Sequence, residues 1–136
     1  MVVKERFCSY EVARLLHEKG FDEECHHIYV GVTLEWTNTF YGDDVISNNE
    51  IPDDDTDVIT ASTHQMACDW IFERYGISIE PTWCCYVKGQ PWDCSIASPS
   101  IGTKWIGNAL GKECKSQEEA INDAILYVLN NFKPKE

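Results

Sequence analysis

The sequence predicts an α+β fold, a two-layer sandwich in which about three helices pack on one face of a mainly antiparallel sheet. Three observations lead to this fold class: three capped amphipathic segments, one long segment of alternating polarity, and short strands that follow one another without helices between them. The chain has 136 residues, the usual size of one domain, and we expect a single domain over residues 1–136.

The first predicted helix follows Ser9, a residue type whose side chain caps helix N-termini. Gly20 stands where a left-handed residue ends a helix, and Phe21 can pack back on the last turn, as in a Schellman motif. The buried stripe of this helix comprises Val12, Ala13, Leu15 and Leu16.

Two more helices show similar end signals. Ser62 and Gln65 have the spacing of a capping box, and the apolar pattern that follows them ends at Gly76. Ser116 and Glu119 have the same spacing before a long apolar stripe. We therefore expect a second helix before Gly76 and a third near the end of the chain.

The strands are predicted from alternation of apolar and polar residues. The segment His27–Thr37 alternates strictly and predicts one strand with one face on a core. Trp83–Val87 and Trp92–Ala97 predict a hairpin whose loop is Lys88–Pro91, and Lys104–Ile106 predicts a last strand. Consecutive strands of this kind favour an antiparallel sheet.

The charge is concentrated in one stretch. Residues 21–60 contain eleven acidic residues and no Lys or Arg, and this stretch accounts for nearly all of the net charge of −12. Within it, residues 40–60 are polar and weakly periodic, which predicts an acidic loop or insertion. Such a field repels phosphate backbones, so we expect no direct nucleic-acid binding and favour a protein partner with a basic surface.

Exposed aromatic rings beside acidic residues are typical of protein-recognition surfaces. The partner-binding residues that we expect are the acidic run and one tryptophan near the hairpin loop: Asp53, Asp54, Asp55, Asp57 and Trp92.

Catalytic motifs fail on inspection. The run from Asp53 resembles an EF-hand loop but has Val58 where glycine is needed and His64 where a bidentate Glu is needed. The segment 107–112 resembles a phosphate loop, but only three residues separate its glycines and Glu113 follows its lysine. The catalytic residues therefore stay unknown, and we expect no cofactor.

The seven cysteines are an odd number at irregular spacing, and no export signal accompanies them. We therefore expect reduced thiols and a cytoplasmic protein, and no apolar run long enough to span a membrane is present. No metal is expected, because neighbouring residues on a strand point to opposite faces. The candidates for a metal site assembled from distant segments are Cys25, His27 and Cys84.

Several helix-forming segments resemble a group of small uncharacterised proteins of gut Bacteroidales and their phages or mobile elements. The resemblance lies in residues 8–21 (CSYEVARLLHEKGF), residues 63–71 (THQMACDWI) and residues 116–125 (SQEEAINDAI). It covers about a third of the chain. The acidic region, residues 40–60, has no counterpart in that group. The resemblance implies a small accessory protein and transfers no functional residue, because no activity is known for the group.

The function that we expect is a non-enzymatic protein-interaction or accessory module with an acidic surface. Two alternatives stay open. One is a metal- or thiol-dependent enzyme with a site near Cys25, His27 and Cys84, which bound metal or a fast-reacting thiol would reveal. The other is a structural protein that works only as an oligomer, which a sedimentation profile would distinguish.

Overall fold

The structure is a computed structural model that describes residues 6–135, and it confirms the α+β class. The described residues form five α-helices and two three-stranded antiparallel sheets, where the sequence predicted one sheet. The chain divides between Gln65 and Met66 into two compact units. The single domain over residues 1–136 stays a prediction.

The first unit contains one sheet with helices before and after its hairpin. Its sheet has the strand order β2-β1-β3, with β1 antiparallel to both neighbours. In chain order the elements are α1 (Tyr10–Glu18), β1 (His27–Val30), β2 (Thr33–Trp36), α2 (Thr37–Tyr41), a 3₁₀ helix (Asn48–Glu50) and β3 (Val58–Thr60).

The second unit contains the other sheet, with the strand order β4-β5-β6. Helix α3 (His64–Tyr75) begins just before the division of the chain and runs into this unit. The elements that follow are β4 (Ser78–Trp83), β5 (Trp92–Ser98), β6 (Gly102–Trp105), α4 (Ile106–Leu110) and α5 (Gln117–Asn131). No helix among residues 6–135 is long and apolar enough to cross a bilayer.

The predicted ends of α1 are confirmed. The Ser9 hydroxyl oxygen accepts a hydrogen bond from the Val12 amide at 3.2 Å. Gly20 has a left-handed φ of 90°, and the Phe21 amide donates to the Leu16 carbonyl oxygen at 2.9 Å. These bonds satisfy polar groups that a helix end otherwise leaves without partners.

The other two predicted helices differ in how they begin. Ser116 caps α5 as expected, since its hydroxyl oxygen accepts from the Glu119 amide at 3.2 Å. Ser62 does not cap α3, because the helix begins at His64 and Ser62 lies one residue before the N-cap position; its hydroxyl donates to the Cys8 sulfur at 3.4 Å.

The prediction of one strand over residues 27–37 is wrong. Gly31 has a left-handed φ of 61° and turns the chain, so that Val30 pairs with Thr33 across a two-residue hairpin. Glycine at the first turn position is what a type II′ hairpin requires. The alternation therefore continues through a turn, and Val32 is 77 % exposed instead of facing a core.

In the second unit, the first strand of the predicted hairpin lies earlier in the chain than the sequence indicated. Strand β4 includes Pro81 and ends at Trp83, which pairs with Trp92, and residues 84–91 form the connection. Proline is tolerated in β4 because β4 is an edge strand and needs no donor on its outer side.

The acidic segment, residues 40–60, is packed on the first unit's sheet and contains the 3₁₀ helix and β3. Tyr29 of β1 packs with Ala13 of α1 on one face of the sheet. On the other face, Ile28 packs with Ile46 and Val58. The segment therefore covers the second face of the sheet and contributes β3 to it, because its few apolar residues fall where the sheet needs cover.

In the second unit α5 packs on β4 and β5, as expected for an amphipathic helix on a sheet. The buried side chains of α5 are Ala120, Ile121, Ala124, Ile125, Val128 and Leu129.

The same order of elements follows the β1–β2 hairpin of the first unit and the β5–β6 hairpin of the second. The second strand of each hairpin, β2 or β6, ends at a tryptophan, Trp36 or Trp105, and the next residue begins a five-residue helix. A left-handed glycine, Gly42 or Gly111, ends each helix. Short helices without a side-chain N-cap give little periodicity, which is why the sequence did not predict α2 and α4.

After each short helix the chain returns to the start of its hairpin. In the first unit Ile46 forms an antiparallel bridge with Cys25, and in the second Cys114 forms one with Trp92. Both units therefore share this bridge between the start of the hairpin and the chain that follows the short helix.

Truncation of Ile46 tests whether the acidic segment is packed. We expect Ile46→Ala to lower the free energy of unfolding of the first unit by about 3 kcal/mol, because the side chain is buried against Ile28 and Val58. Val32→Ala, on the exposed hairpin turn, is the control and is expected to change it by less than about 0.5 kcal/mol. Urea unfolding measures both, and equal small effects would contradict the packing.

Candidate functional site

The second unit has an open cleft of about 530 Å³ beside the start of β5. Its walls come from the β4–β5 connection, from the end of β6 and from α4 with the turn after it. The residues that determine its chemistry are Trp92, Asp93, Trp105, Gly107, Lys112 and Glu113.

The two tryptophans are held at strand ends. Trp92 begins β5, and its amide donates to the Cys114 carbonyl oxygen at 2.8 Å, which ties it to the returning chain. Trp105 ends β6 immediately before α4, and its side chain is 43 % exposed. Both tryptophans therefore line the cleft from the ends of neighbouring strands.

Asp93 is fixed by backbone donors. Its Oδ1 accepts from the Gly107 amide at 2.8 Å and from the Cys94 amide at 2.7 Å. Oδ2 makes no hydrogen bond to another residue among those that the structure describes. The carboxylate is thus held in place through one oxygen and keeps the other for a ligand.

The position of Asp93 depends on a glycine. A Cβ atom on Gly107 would lie 3.0 Å from both Asp93 carboxylate oxygens and 2.9 Å from the Lys112 carbonyl oxygen. Because these contacts are closer than a carbon atom normally allows, only glycine lets the carboxylate approach the first turn of α4.

Lys112 lies at the cleft but its charge is already balanced. Its ammonium lies 2.8 Å from Asp123 Oδ2 and 3.1 Å from Glu119 Oε1. Hydrogen bonds to Asp123 and Glu119 raise the pKa of Lys112, and the bond to Lys112 lowers the pKa of Glu119. The charges left for a ligand at the cleft are those of Asp93 and Glu113, and both are negative.

Cys114 lies beside Glu119 and Asp123, the two acidic partners of Lys112, and these residues form one cluster. Its thiol donates to Asp123 Oδ2 at 3.3 Å. The sulfur and one oxygen each of Glu119 and Asp123 lie within 4.8 Å of one another, the only such group of three metal-capable side chains that the structure forms among residues 6–135. The ammonium of Lys112 supplies the positive charge in this cluster.

The buried thiols are poor nucleophiles. Burial raises the pKa of Cys25 and Cys68 to about 11 and that of Cys94 and Cys114 to about 12. A thiol with such a pKa carries almost no thiolate near neutral pH, whereas nucleophilic catalysis needs the thiolate.

The acidic run predicted to bind a partner lies in the turn before β3 of the first unit. Asp53, Asp54 and Asp57 are exposed. Asp55 is half-buried, and its Oδ2 accepts a hydrogen bond from the Tyr41 hydroxyl at 2.7 Å. Burial and the bond to Asp55 raise the pKa of Tyr41. Asp55 therefore has a structural contact in addition to its charge.

The predicted metal candidates of the first unit have separate surroundings. The His27 ring lies between the Phe7 ring at 4.4 Å and the Trp36 ring at 4.0 Å, measured between centroids. The Cys25 thiol donates to the Glu23 carbonyl oxygen at 3.5 Å and contacts the Thr60 side chain.

Cys84, the third metal candidate, lies in the second unit at the wall of the cleft. Its thiol donates to the Thr82 carbonyl oxygen at 3.9 Å. Neither Cys84 nor Cys25 nor His27 belongs to a group of three metal-capable side chains within residues 6–135.

Sequence reasoning named Trp92 but missed Asp93 and the role of Gly107. The pattern Gly107 to Lys112 was considered only as a phosphate loop. The two glycines have structural roles instead. Gly107 leaves room for the Asp93 carboxylate, and Gly111 ends α4 in a left-handed conformation. No sequence signal links Asp93 to Gly107, because the contact forms only when β5 and α4 come together.

No family model, no curated protein and no solved structure matches this chain.

Substitution of Gly107 tests the origin of the cleft geometry. We expect Gly107→Ala to lower the free energy of unfolding of the second unit by about 2 kcal/mol, because the added methyl group collides with Asp93 and with backbone. Asn108→Ala, on the exposed side of the same helix, is the control, with a change below about 0.5 kcal/mol. Denaturant unfolding followed by tryptophan fluorescence measures both.

Alkaline titration tests the buried thiols. The folded pKa of Cys94 and Cys114, about 12, lies above the value of 9.0 for a free thiol. The folded state therefore holds protons that the unfolded state releases, so stability is full below pH 9.0 and falls as the pH rises toward about 12. Unfolding free energies at a series of pH values check this slope, and Cys94→Ala is expected to make it shallower.

Proposed function

We propose that this protein is a non-enzymatic interaction module that binds a basic segment of a partner protein in the cleft beside Trp92. The observation that carries the proposal is that the same cleft is lined by two tryptophans, Trp92 and Trp105, and by an Asp93 carboxylate that is fixed through one oxygen.

This combination suits a cationic side chain. A guanidinium or ammonium group gains from the face of a tryptophan ring and from hydrogen bonds to a carboxylate oxygen. Asp93 is already oriented by the Gly107 and Cys94 amides, so little ordering is left for the binding step. Lys112 does not repel such a ligand strongly, because Asp123 and Glu119 neutralise it.

The charge of the whole chain supports the same class of partner. The net charge is −12, and the eleven acidic residues between positions 21 and 60 have no basic residue among them. A field of this sign attracts basic proteins and increases their association rate. The exposed turn with Asp53, Asp54 and Asp57 contributes to this attraction in the proposal, and Trp92 contributes contact surface.

Four of the seven cysteines argue against thiol catalysis. The four cysteines with raised pKa values are the reverse of what a thiol-dependent enzyme needs, because their thiols stay protonated. The proposed role agrees with the small accessory protein that the resemblance to the Bacteroidales and phage group implies, and we propose it for a protein of the cytoplasm.

A labelled peptide of alternating arginine and serine residues tests the proposal by fluorescence anisotropy. We expect Asp93→Asn to weaken binding about tenfold, or about 1.4 kcal/mol. The amide keeps an oxygen that can accept from the Gly107 amide and removes only the charge. Raising the salt concentration from about 50 mM to about 300 mM should also weaken binding several-fold.

Asp54→Asn is the matched control, since it removes the same charge from the exposed turn of the first unit. We expect it to change affinity by less than about twofold, through the association rate. Binding that is insensitive to salt, or that Asp93→Asn and Asp54→Asn weaken equally, would rule out the cleft as the site.

A further inference from the structure

The outer edge of β2 has backbone groups that do not bond to β1. Val30 and Thr33 close a two-residue hairpin and so form a hydrogen-bonded pair, and such pairs alternate along an antiparallel ladder. The Thr37 amide donates to the His26 carbonyl oxygen at 2.8 Å, as expected if every second pair along the two strands is hydrogen-bonded, starting from Val30 and Thr33. The backbone of Leu34 and the amide of Trp36 therefore face away from β1.

Three large apolar side chains along this edge are exposed. Leu34 is 40 % exposed, Trp36 59 % and Phe40, on the helix that follows, 47 %. Natural sheets protect an edge with charged side chains, above all lysine, with proline, with a bulge or by keeping the strand short. Strand β2 is short and its charged side chain is Glu35, whereas β6, in the equivalent position of the second unit, carries Lys104. The negative charge of Glu35 disfavours an acidic added strand and favours a basic one.

Two carboxylates lie on or next to this edge. Glu35 is part of β2 itself. Where β2 runs into α2, Asp44 Oδ1 accepts from Asn38 Nδ2 at 3.3 Å. A second copy of this chain would bring the same eleven acidic residues against this edge, so charge favours a different, basic occupant.

We propose that β2 is a docking edge to which an extended segment of another protein, with lysine or arginine at alternate positions, adds as a fourth strand. The backbone of Leu34 and the amide of Trp36 supply the main-chain hydrogen bonds. The apolar side chains of the segment contact Leu34 and Trp36, and its basic side chains lie on the opposite face of the added strand, beside Glu35. This surface shares no residue with the cleft, so either can fail without the other.

The test uses a seven-residue peptide in which lysine alternates with valine. Hydrogen exchange of single amides is measured with and without the peptide. We expect the amides of Leu34 and Trp36 to exchange at least about tenfold more slowly with it, because they become donors in a new ladder. A peptide in which glutamate replaces lysine is the control and should leave both amides unchanged.

Two variants locate the contact. Leu34→Pro removes a donor that points away from β1, so the sheet should stay folded while the peptide no longer binds. Leu34→Lys keeps the donor, protects the edge with a like charge and should weaken binding at least about tenfold. Thr103→Lys, on the edge strand β6 of the second unit, is the matched control and should change affinity by less than about twofold.

Three results would overturn the proposal. The first is unchanged exchange at Leu34 and Trp36 in the presence of bound peptide. The second is peptide binding that Asp93→Asn abolishes and both Leu34 variants preserve, which would place the peptide in the cleft. The third is a dimer in sedimentation that Leu34→Pro or Leu34→Lys dissociates, which would make a second copy the occupant of the edge.

Discussion

The return of the chain to the start of its own hairpin is the constraint on which both units depend. In each case a strand runs directly into a five-residue helix, and a left-handed glycine, Gly42 or Gly111, sends the chain back. In the first unit the return places the acidic segment over the sheet through the pairing of Ile46 with Cys25. In the second it brings Cys114 beside Trp92 and so builds the wall of the cleft.

The acidic segment combines two properties that rarely occur together. Its carboxylates repel one another in a compact fold, yet Ile46 and Val58 bury apolar surface against β1. The buried contacts are few but lie on the face of the sheet that α1 leaves open. The segment can therefore keep a dense negative charge on its outer side while it contributes a strand to the core.

The candidate interaction surfaces of the two units depend on different types of interaction. The cleft is lined by two tryptophans and one fixed carboxylate, and the proposed ligand there is a single cationic side chain. The edge of β2 presents backbone groups, which suit an extended chain of any sequence, and the surrounding charge then selects among sequences. In both proposals the partner is basic, and at the cleft Lys112, the one cation among the described lining residues, is neutralised within its own unit.

The sequence by itself determined the α+β class, the three long helices and the end signals at Ser9, Gly20 and Ser116, because capping and periodicity are local. It also determined the acidic charge and singled out Trp92. Only the tertiary structure decided that residues 27–37 form a hairpin, since alternation of polarity continues unchanged through a two-residue turn. It alone brought Asp93 to Gly107, because a carboxylate and an amide fourteen residues apart become neighbours only through packing.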